Sequence, residues 1–400
     1  MRPRTVLSLE QALSMTYATL RFACLGWRVI KLEPTPAPGQ VTPGDPNRYI
    51  GDPVGGPDRC SYFVAPNAGK EAMAINLKTE EGQAILHRLV RELPVDVFCC
   101  NTLPARYEPL GIDFETLKKH NPKLIWAGIS AYGPEAPKTP GYDPAVQAVT
   151  GHMAITGDPK GPPMLCGTPL ADLKAGDEVF AQTMLALAEQ AEGAGARRID
   201  VSMARAAASW LITTLPMVGL GAPPDCYDRA GNEHRQFVPV NVYPTRDGHL
   251  LVAVGNDVQW QRLTALDAFK GLANEVRKTN EGRKAERDEI HAEMAEVTRG
   301  WETATLVDAL NKAGLVACAV STIPQVAEAD WLTPHLKTTT LADGRRVTLQ
   351  PSAVERQGEP AALGPPPAYG QDTVRILGEA GAGTDELAAW REAGIVYGKE

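Results

Sequence analysis

The stretch Met73–Cys100, MAINLKTEEGQAILHRLVRELPVDVFCC, decides the fold. Met73-Ala-Ile-Asn-Leu77 is a short apolar run and reads as a strand. Thr79 to Leu93 reads as a helix, and Val95-Asp-Val-Phe-Cys-Cys100 as a second strand. A strand, a helix and a strand in succession form the unit that joins parallel neighbours, because parallel strands need a long crossover.

The same alternation extends in both directions. Upstream, Thr5-Val-Leu-Ser-Leu9 reads as a strand and Thr16 to Leu25 as a helix stopped by Gly26. Arg28-Val-Ile-Lys-Leu-Glu33 reads as the next strand. Downstream, Asp113 caps a helix ending near His120, and Leu124 to Ser130 is a strand. A helix over about 174–191 follows, and then a strand over Ala196 to Ser202. This pattern predicts a mostly parallel sheet covered on both faces, an α/β fold. The Pro/Gly-rich segment from Pro34 to Pro57 is too long for a simple connection and reads as functional or docked on a partner.

The texture changes after residue 206. Residues 1–205 read as the N-terminal part of a large domain and 206–224 as a linker. Residues 225–330 read as a smaller α+β domain, and 331–400 as a return to the large one. Ala207 to Gly221 is apolar and helical, and Gly221-Ala-Pro-Pro224 reads as a hinge. Phe237 to Val254 is a hairpin around Arg246-Asp-Gly248, and Glu281 to Glu296 a solvated surface helix. Thr340 to Ala353 forms a second hairpin around Asp343-Gly344, and short helices are expected over 372–379 and 385–393.

Composition narrows the function. The chain has 400 residues, 44% hydrophobic and 22% charged, as in a globular protein with a substantial core. Its net charge of -8 argues against a nucleic-acid partner, which needs a basic face. No apolar run reaches the ~18 residues of a membrane span, and no signal-peptide core opens the chain. Seven cysteines without a C-x-x-C spacing predict reduced thiols in a cytoplasmic protein.

Several chemistries lack their motifs. The first strand–helix turn, Glu10-Gln-Ala-Leu-Ser-Met15, is not a G-x-G-x-x-G dinucleotide turn, and there is no P-loop. Gly128-Ile-Ser-Ala-Tyr-Gly133 has one residue too many for a nucleophile elbow. The seven histidines show no metal-ligand spacing, so no metal is expected. A carboxylate in apolar company, Leu170-Ala-Asp172-Leu, lies just before an amphipathic helix and, judged alone, reads as its N-cap. A carboxylate at a helix start is favoured by the helix dipole, is expected to stay ionised, and can serve as N-cap and nucleophile together. Asn67-Ala-Gly-Lys70 and Arg48 offer cations that could meet phosphate or simply belong to turns.

The ordered set of motifs resembles the family III CoA-transferases. It comprises Val29-Ile-Lys-Leu-Glu33, Gly44-Asp45 with Arg48, Asn67-Ala-Gly-Lys70, Gly141-Tyr-Asp-Pro-Ala-Val-Gln147, Leu170-Ala-Asp172, Asp200-Val-Ser-Met203, Arg229-Ala-Gly-Asn-Glu-His234 and Gly255-Asn-Asp-Val-Gln-Trp260. The resemblance runs from about residue 5 to 395. It implies a Rossmann-like large domain built from both chain ends, a small middle domain and two interlocked subunits. These would be identical, or the chain would pair with a paralogous subunit, in one form as a non-catalytic partner.

The resemblance also implies an acyl-CoA thioester and a carboxylic acid as substrates, with no tightly bound cofactor. Asp172 falls on the catalytic aspartate. Gln11, Ala12 and Leu13 fall on the turn that touches the CoA nucleotide, Lys70 on the lysine of Asn-x-x-Lys, and Asn101-Thr102 on a pair beside CoA. Departures exist. Pro34 replaces an arginine of some relatives, Met15-Thr16 replaces Gly-Pro, and Leu103 and Ala105 interrupt Asn-Phe-Arg-Pro-Gly. Tyr142 stands where 2-methylacyl-CoA racemases of this fold carry a histidine, and tyrosine is a poor base at neutral pH. Expected oxyanion donors are the helix N-terminus at Asp172 and the Val254-Gly-Asn-Asp257 loop. Arg235 and Lys174 are candidate partners for a second substrate carboxylate, and succinyl-CoA with a substituted succinate is the expected pair.

Overall fold

The computed structural model describes residues 3–398. The first strands are β1 (Thr5–Leu9), β2 (Arg28–Glu33), β3 (Glu71–Ile75), β4 (Val95–Cys100), β5 (Ile125–Ser130) and β6 (Arg197–Ser202). A second group is β7 (Val240–Pro244), β8 (His249–Ala253) and β9 (Val316–Ala319). The chain then adds β10 (Leu336–Thr340), β11 (Arg346–Pro351), β12 (Ala362–Leu363) and β13 (Val396–Tyr397). The large sheet has the order β13-β3-β2-β1-β4-β5-β6. Its strands are parallel except for β13, which runs antiparallel on the edge beside β3. The order 3-2-1-4-5-6 within it is that of the Rossmann fold, with its switch point between β1 and β4.

Strand periodicity explains the two cores. Alternate residues point to opposite faces. Leu7, Ile30, Leu32, Phe98 and Cys100 enter one apolar cluster with Ile85, Leu86 and Leu89 of the helix Glu80–Glu92. Val6, Val29, Val97 and Cys99 enter the other, with Met15, Ala18 and Phe22 of the helix Ser14–Cys24 and Ala171, Ala175 and Val179 of the helix Leu170–Ala191. The last two helices touch at Gly176. A Cβ there would lie 2.7 Å from the Tyr17 ring and 2.8 Å from the Ser14 carbonyl oxygen, so only glycine permits this approach. The contact sets the first turn of Leu170–Ala191 beside the end of the 11–14 turn.

The described residues divide into two compact units. One comprises the chain up to Thr150, Gly167–Trp210 and the part from Pro334 onward; the other comprises Gly151–Cys166 and Leu211–Thr333. The excursion at 151–166 is bracketed by Gly151 and Gly167, but which unit it joins is not written locally, because its tie is long-range: the N–H of Gly231 donates to the carbonyl of Gly157 at 3.0 Å. The second unit holds the antiparallel sheet β7-β8-β9 over a core of Val238, Tyr243, Leu250, Trp260, Ile290 and Leu310. The β7–β8 hairpin lies where the Arg246-Asp-Gly248 turn places it, and β10–β11 forms the second hairpin.

Two expected helices are broken. The apolar 207–221 segment is interrupted by a kink at Leu211 and a new helix over Leu215–Gly219, with Pro216 in its first turn. The charged 281–296 run divides at Glu286, and it is not simply solvated. Arg283 is fully buried and donates to the carbonyls of Val238 and Arg277 and to Asp257.

Candidate active site

Asp172 lies in the first turn of Leu170–Ala191, but it does not cap the helix. The cap residue is Pro169, which has no side-chain acceptor, and the capping carboxylate comes from elsewhere. Asp143 opens the helix Asp143–Val149, and its Oδ1 accepts the N–H of Ala171 at 2.7 Å and that of Asp172 at 3.4 Å. Gln147, one turn on, donates to Asp143 Oδ2 at 2.6 Å and holds it in place. The Asp172 side chain is left without a hydrogen-bond or ion-pair partner among the described residues and is only partly exposed.

This arrangement reverses the expected electrostatics. Burial, and secondarily the neighbouring Asp143 carboxylate, push the Asp172 pKa up to about 7. Burial outweighs the helix dipole at Asp172, and Asp143 already occupies the exposed N–H groups. Those groups are therefore not free to bind an oxyanion: Leu170 N–H donates to the Thr168 carbonyl, and Ala171 and Asp172 to Asp143. In the 254–257 loop, Gly255 N–H is likewise taken by Gln259 Oε1 at 2.7 Å.

The turn after β1 sits at the sheet's switch point, where open α/β sheets bind ligands beyond the carboxyl ends of their strands. Asn101, following β4, clamps it: its Nδ2 donates to the Gln11 carbonyl at 2.7 Å and its Oδ1 accepts the Gln11 N–H at 3.1 Å. Topology thus brings Gln11, Ala12, Leu13, Asn101 and Thr102 together at the carboxyl ends of the two central strands β1 and β4.

Lys70 belongs underneath this turn. Its ammonium is fully buried and donates to Glu10 Oε1 at 2.7 Å, Thr19 Oγ1 at 2.7 Å and the Thr16 carbonyl at 2.9 Å, so all three N–H groups are used. Burial lowers its pKa to about 8 against the pull of Glu10. For Glu10, burial alone would raise the pKa, but Lys70 and Lys31 outweigh it and bring it to about 2. Arg48 is also internal. It pairs with Glu33 through Nε at 2.8 Å and Nη2 at 2.6 Å and stacks over Phe63.

The remaining candidates are engaged elsewhere. Lys174 pairs with Glu178, and Arg235, in the second unit, donates to the Asp228 and Tyr227 carbonyls. Tyr142 is exposed at the entry to the Asp143 helix. Asp143 itself was the residue that sequence reasoning left without a role. Its signal was the Asp-Pro at a helix start, where a carboxylate satisfies N–H groups, but the helix it caps is a different one.

Fold and residues together match a known group. The model of CoA-transferase family III fits residues 2–373, and the chain belongs to that family. It is an enzyme of the CoA-transferase class. The chain is 32% identical to the succinate–glutarate CoA-transferase of Agrobacterium fabrum, over 80% of its own length and 77% of the relative's. It is 35% identical to the acetyl-CoA:oxalate CoA-transferase of Acetobacter aceti, over 81% and 80%. A solved CaiB/BaiF family structure from Brucella suis aligns with a TM-score of 0.82 at 27% identity, covering 94% of this chain and 98% of that one.

Proposed function

We propose that Asp172 is the nucleophile that carries CoA from an acyl-CoA thioester to a free acid. The observation that carries this reading is its side chain: half-buried, without an ion-pair or hydrogen-bond partner among the described residues, and with a pKa near neutrality. A carboxylate of that kind is not strongly stabilised by the protein in its charged form, so it retains nucleophilic character when ionised.

The steps balance without an external energy source. The Asp172 carboxylate attacks the thioester carbonyl, forming an acyl-aspartyl anhydride and releasing CoA thiolate. The thiolate attacks the aspartyl carbonyl, giving an aspartyl-CoA thioester and the first free acid. The acceptor carboxylate then attacks that thioester, and the released thiolate attacks the acceptor's acyl carbonyl. The products are the new acyl-CoA and the regenerated Asp172.

Gln11, Ala12, Leu13, Asn101 and Thr102 are the proposed CoA contacts, with Lys70 supporting the turn from beneath. The proposed donor is succinyl-CoA, with a dicarboxylic acid, such as a substituted succinate, as acceptor. Succinate–glutarate and oxalate transfer in the relatives supports that class. Two copies are proposed to interlock, which accords with the exposed Trp210, Ile212, Leu215, Val218 and Leu220. Seven free cysteines agree with a reducing, cytoplasmic setting.

The test is intact-protein mass spectrometry after mixing with acyl-CoA. The wild type is expected to gain the mass of CoA less water on the peptide bearing Asp172. Asp172→Ala is expected to show no adduct and to lose exchange by roughly 10⁴-fold or more. Substantial exchange by a clean Asp172→Ala preparation rejects the assignment.

A further inference from the structure

Among the described residues, Ala12 is the only non-glycine with a positive φ, +57°. A side chain in that left-handed region carries a steric penalty and persists only where the surroundings impose it. The imposing group comes from a distant segment. Asp45, in the long loop after β2, is fully buried; its Oδ1 accepts the Ala12 N–H at 3.1 Å and the Asn47 N–H at 3.0 Å. Its Oδ2 is fixed by Lys31 Nζ at 2.8 Å, and that ammonium also reaches the Glu10 carbonyl at 3.2 Å. The Asp45 backbone N–H is held in turn by Glu33 Oε1 at 2.9 Å, the carboxylate that Arg48 grips. A carboxylate needed only to start the short turn Pro46–Tyr49 would require the Asn47 bond alone. The bond to Ala12, 33 residues away, serves the turn at the switch point.

We propose that Asp45 is a positioning residue for acyl-CoA: locked by Lys31, it holds Ala12 left-handed so that the Gln11–Leu13 backbone presents the shape the nucleotide binds. This rests on the reading that CoA meets that turn. It also gives the Pro34–Pro57 loop a role in the reaction without any contact to substrate.

The experiment separates the two ideas by steady-state kinetics with acyl-CoA and acid varied independently. Asp45→Asn, whose Nδ2 must face either the Lys31 ammonium or the Ala12 and Asn47 N–H groups and so breaks the lock, is expected to raise the acyl-CoA KM about 5–30-fold, with a much smaller change in kcat and in the acid KM. Adding Ala12→Gly, which makes the left-handed turn freely available, is expected to recover at least half of that loss on a logarithmic scale. A general structural role for Asp45 would show no such recovery, and an unrescued KM or a loss confined to kcat overturns the proposal. Ala12→Val in the otherwise native chain tests the underlying reading. If it leaves the acyl-CoA KM unchanged, the turn is not the CoA site. If it raises KM while Asp45→Asn behaves otherwise than stated, only the positioning role falls. Should Asp45→Asn not fold, Asp45→Ala with Lys31→Met removes both buried charges and the acceptor of the Ala12 N–H together and is read in the same way.

Discussion

The Asp143 carboxylate accepts the backbone N–H of Asp172 and at the same time opposes the charge on the Asp172 side chain. One residue thus fixes the position of the other and, with burial, raises its pKa to about 7. In the proposed reaction the ionised form of Asp172 is the nucleophile, so kcat/KM for acyl-CoA in the free enzyme is expected to rise with pH through about 7. It should fall about tenfold per unit well below that value. A pH–rate profile measures this, and a flat profile between pH 5 and 8 contradicts it.

Replacing Asp143 with Asn removes the opposing charge but keeps an acceptor oxygen for the Ala171 N–H. The Asp172 pKa should then fall, and the acidic limb of the profile should move to lower pH. A limb that stays in place would show that burial alone sets the shift.

The charges under the switch-point turn should govern acid stability. Glu10 has a folded pKa of about 2 against an ordinary value of 4.5, so its stabilising contribution is present above about pH 4.5 and is lost as pH falls toward 2. Glu10→Gln should flatten the dependence of urea stability on pH in that window. Lys70→Met leaves Glu10 buried without its nearest cation and should cost about 3–5 kcal/mol in urea unfolding at neutral pH.

If two chains interlock, the exposed apolar segment around 210–220 becomes buried. Light scattering on the eluted wild type should give twice the 42.9 kDa chain mass. Leu215→Asp and Leu220→Asp together should shift the protein toward the single-chain mass or to aggregates. A wild type of single-chain mass at micromolar concentration refutes the interlocked assembly.

A panel of acids incubated with succinyl-CoA and read by mass spectrometry addresses the acceptor. Dicarboxylates are expected to be converted at least about tenfold faster than monocarboxylates of equal length, which corresponds to roughly 1.4 kcal/mol of discrimination. Equal rates for both classes would remove the second carboxylate from the substrate definition.

Much of this protein was legible locally. Met73 to Cys100 announced strand, helix and strand, because buried parallel strands are written as short apolar runs between helical patterns. Helix continuity was less legible. The break after Leu211 is written in the chain as Pro216, which opens a new helix, whereas the break at Glu286 accompanies packing that a charge pattern does not record, as the buried Arg283 shows.

The order of residues by itself determined the α/β class and the hairpin turns, since each depends on neighbours close in the chain, and the resemblance of its ordered motifs to family III CoA-transferases pointed to Asp172 as the candidate nucleophile. Only the tertiary structure decided that Asp143, 29 positions earlier, caps the helix start at Asp172. Likewise, it alone showed Lys70 lying buried beneath the turn and Asp45 reaching Ala12. A carboxylate's pKa and a lysine's availability are set by what surrounds them in space, and burial and like charge arrive from segments that the sequence keeps far apart.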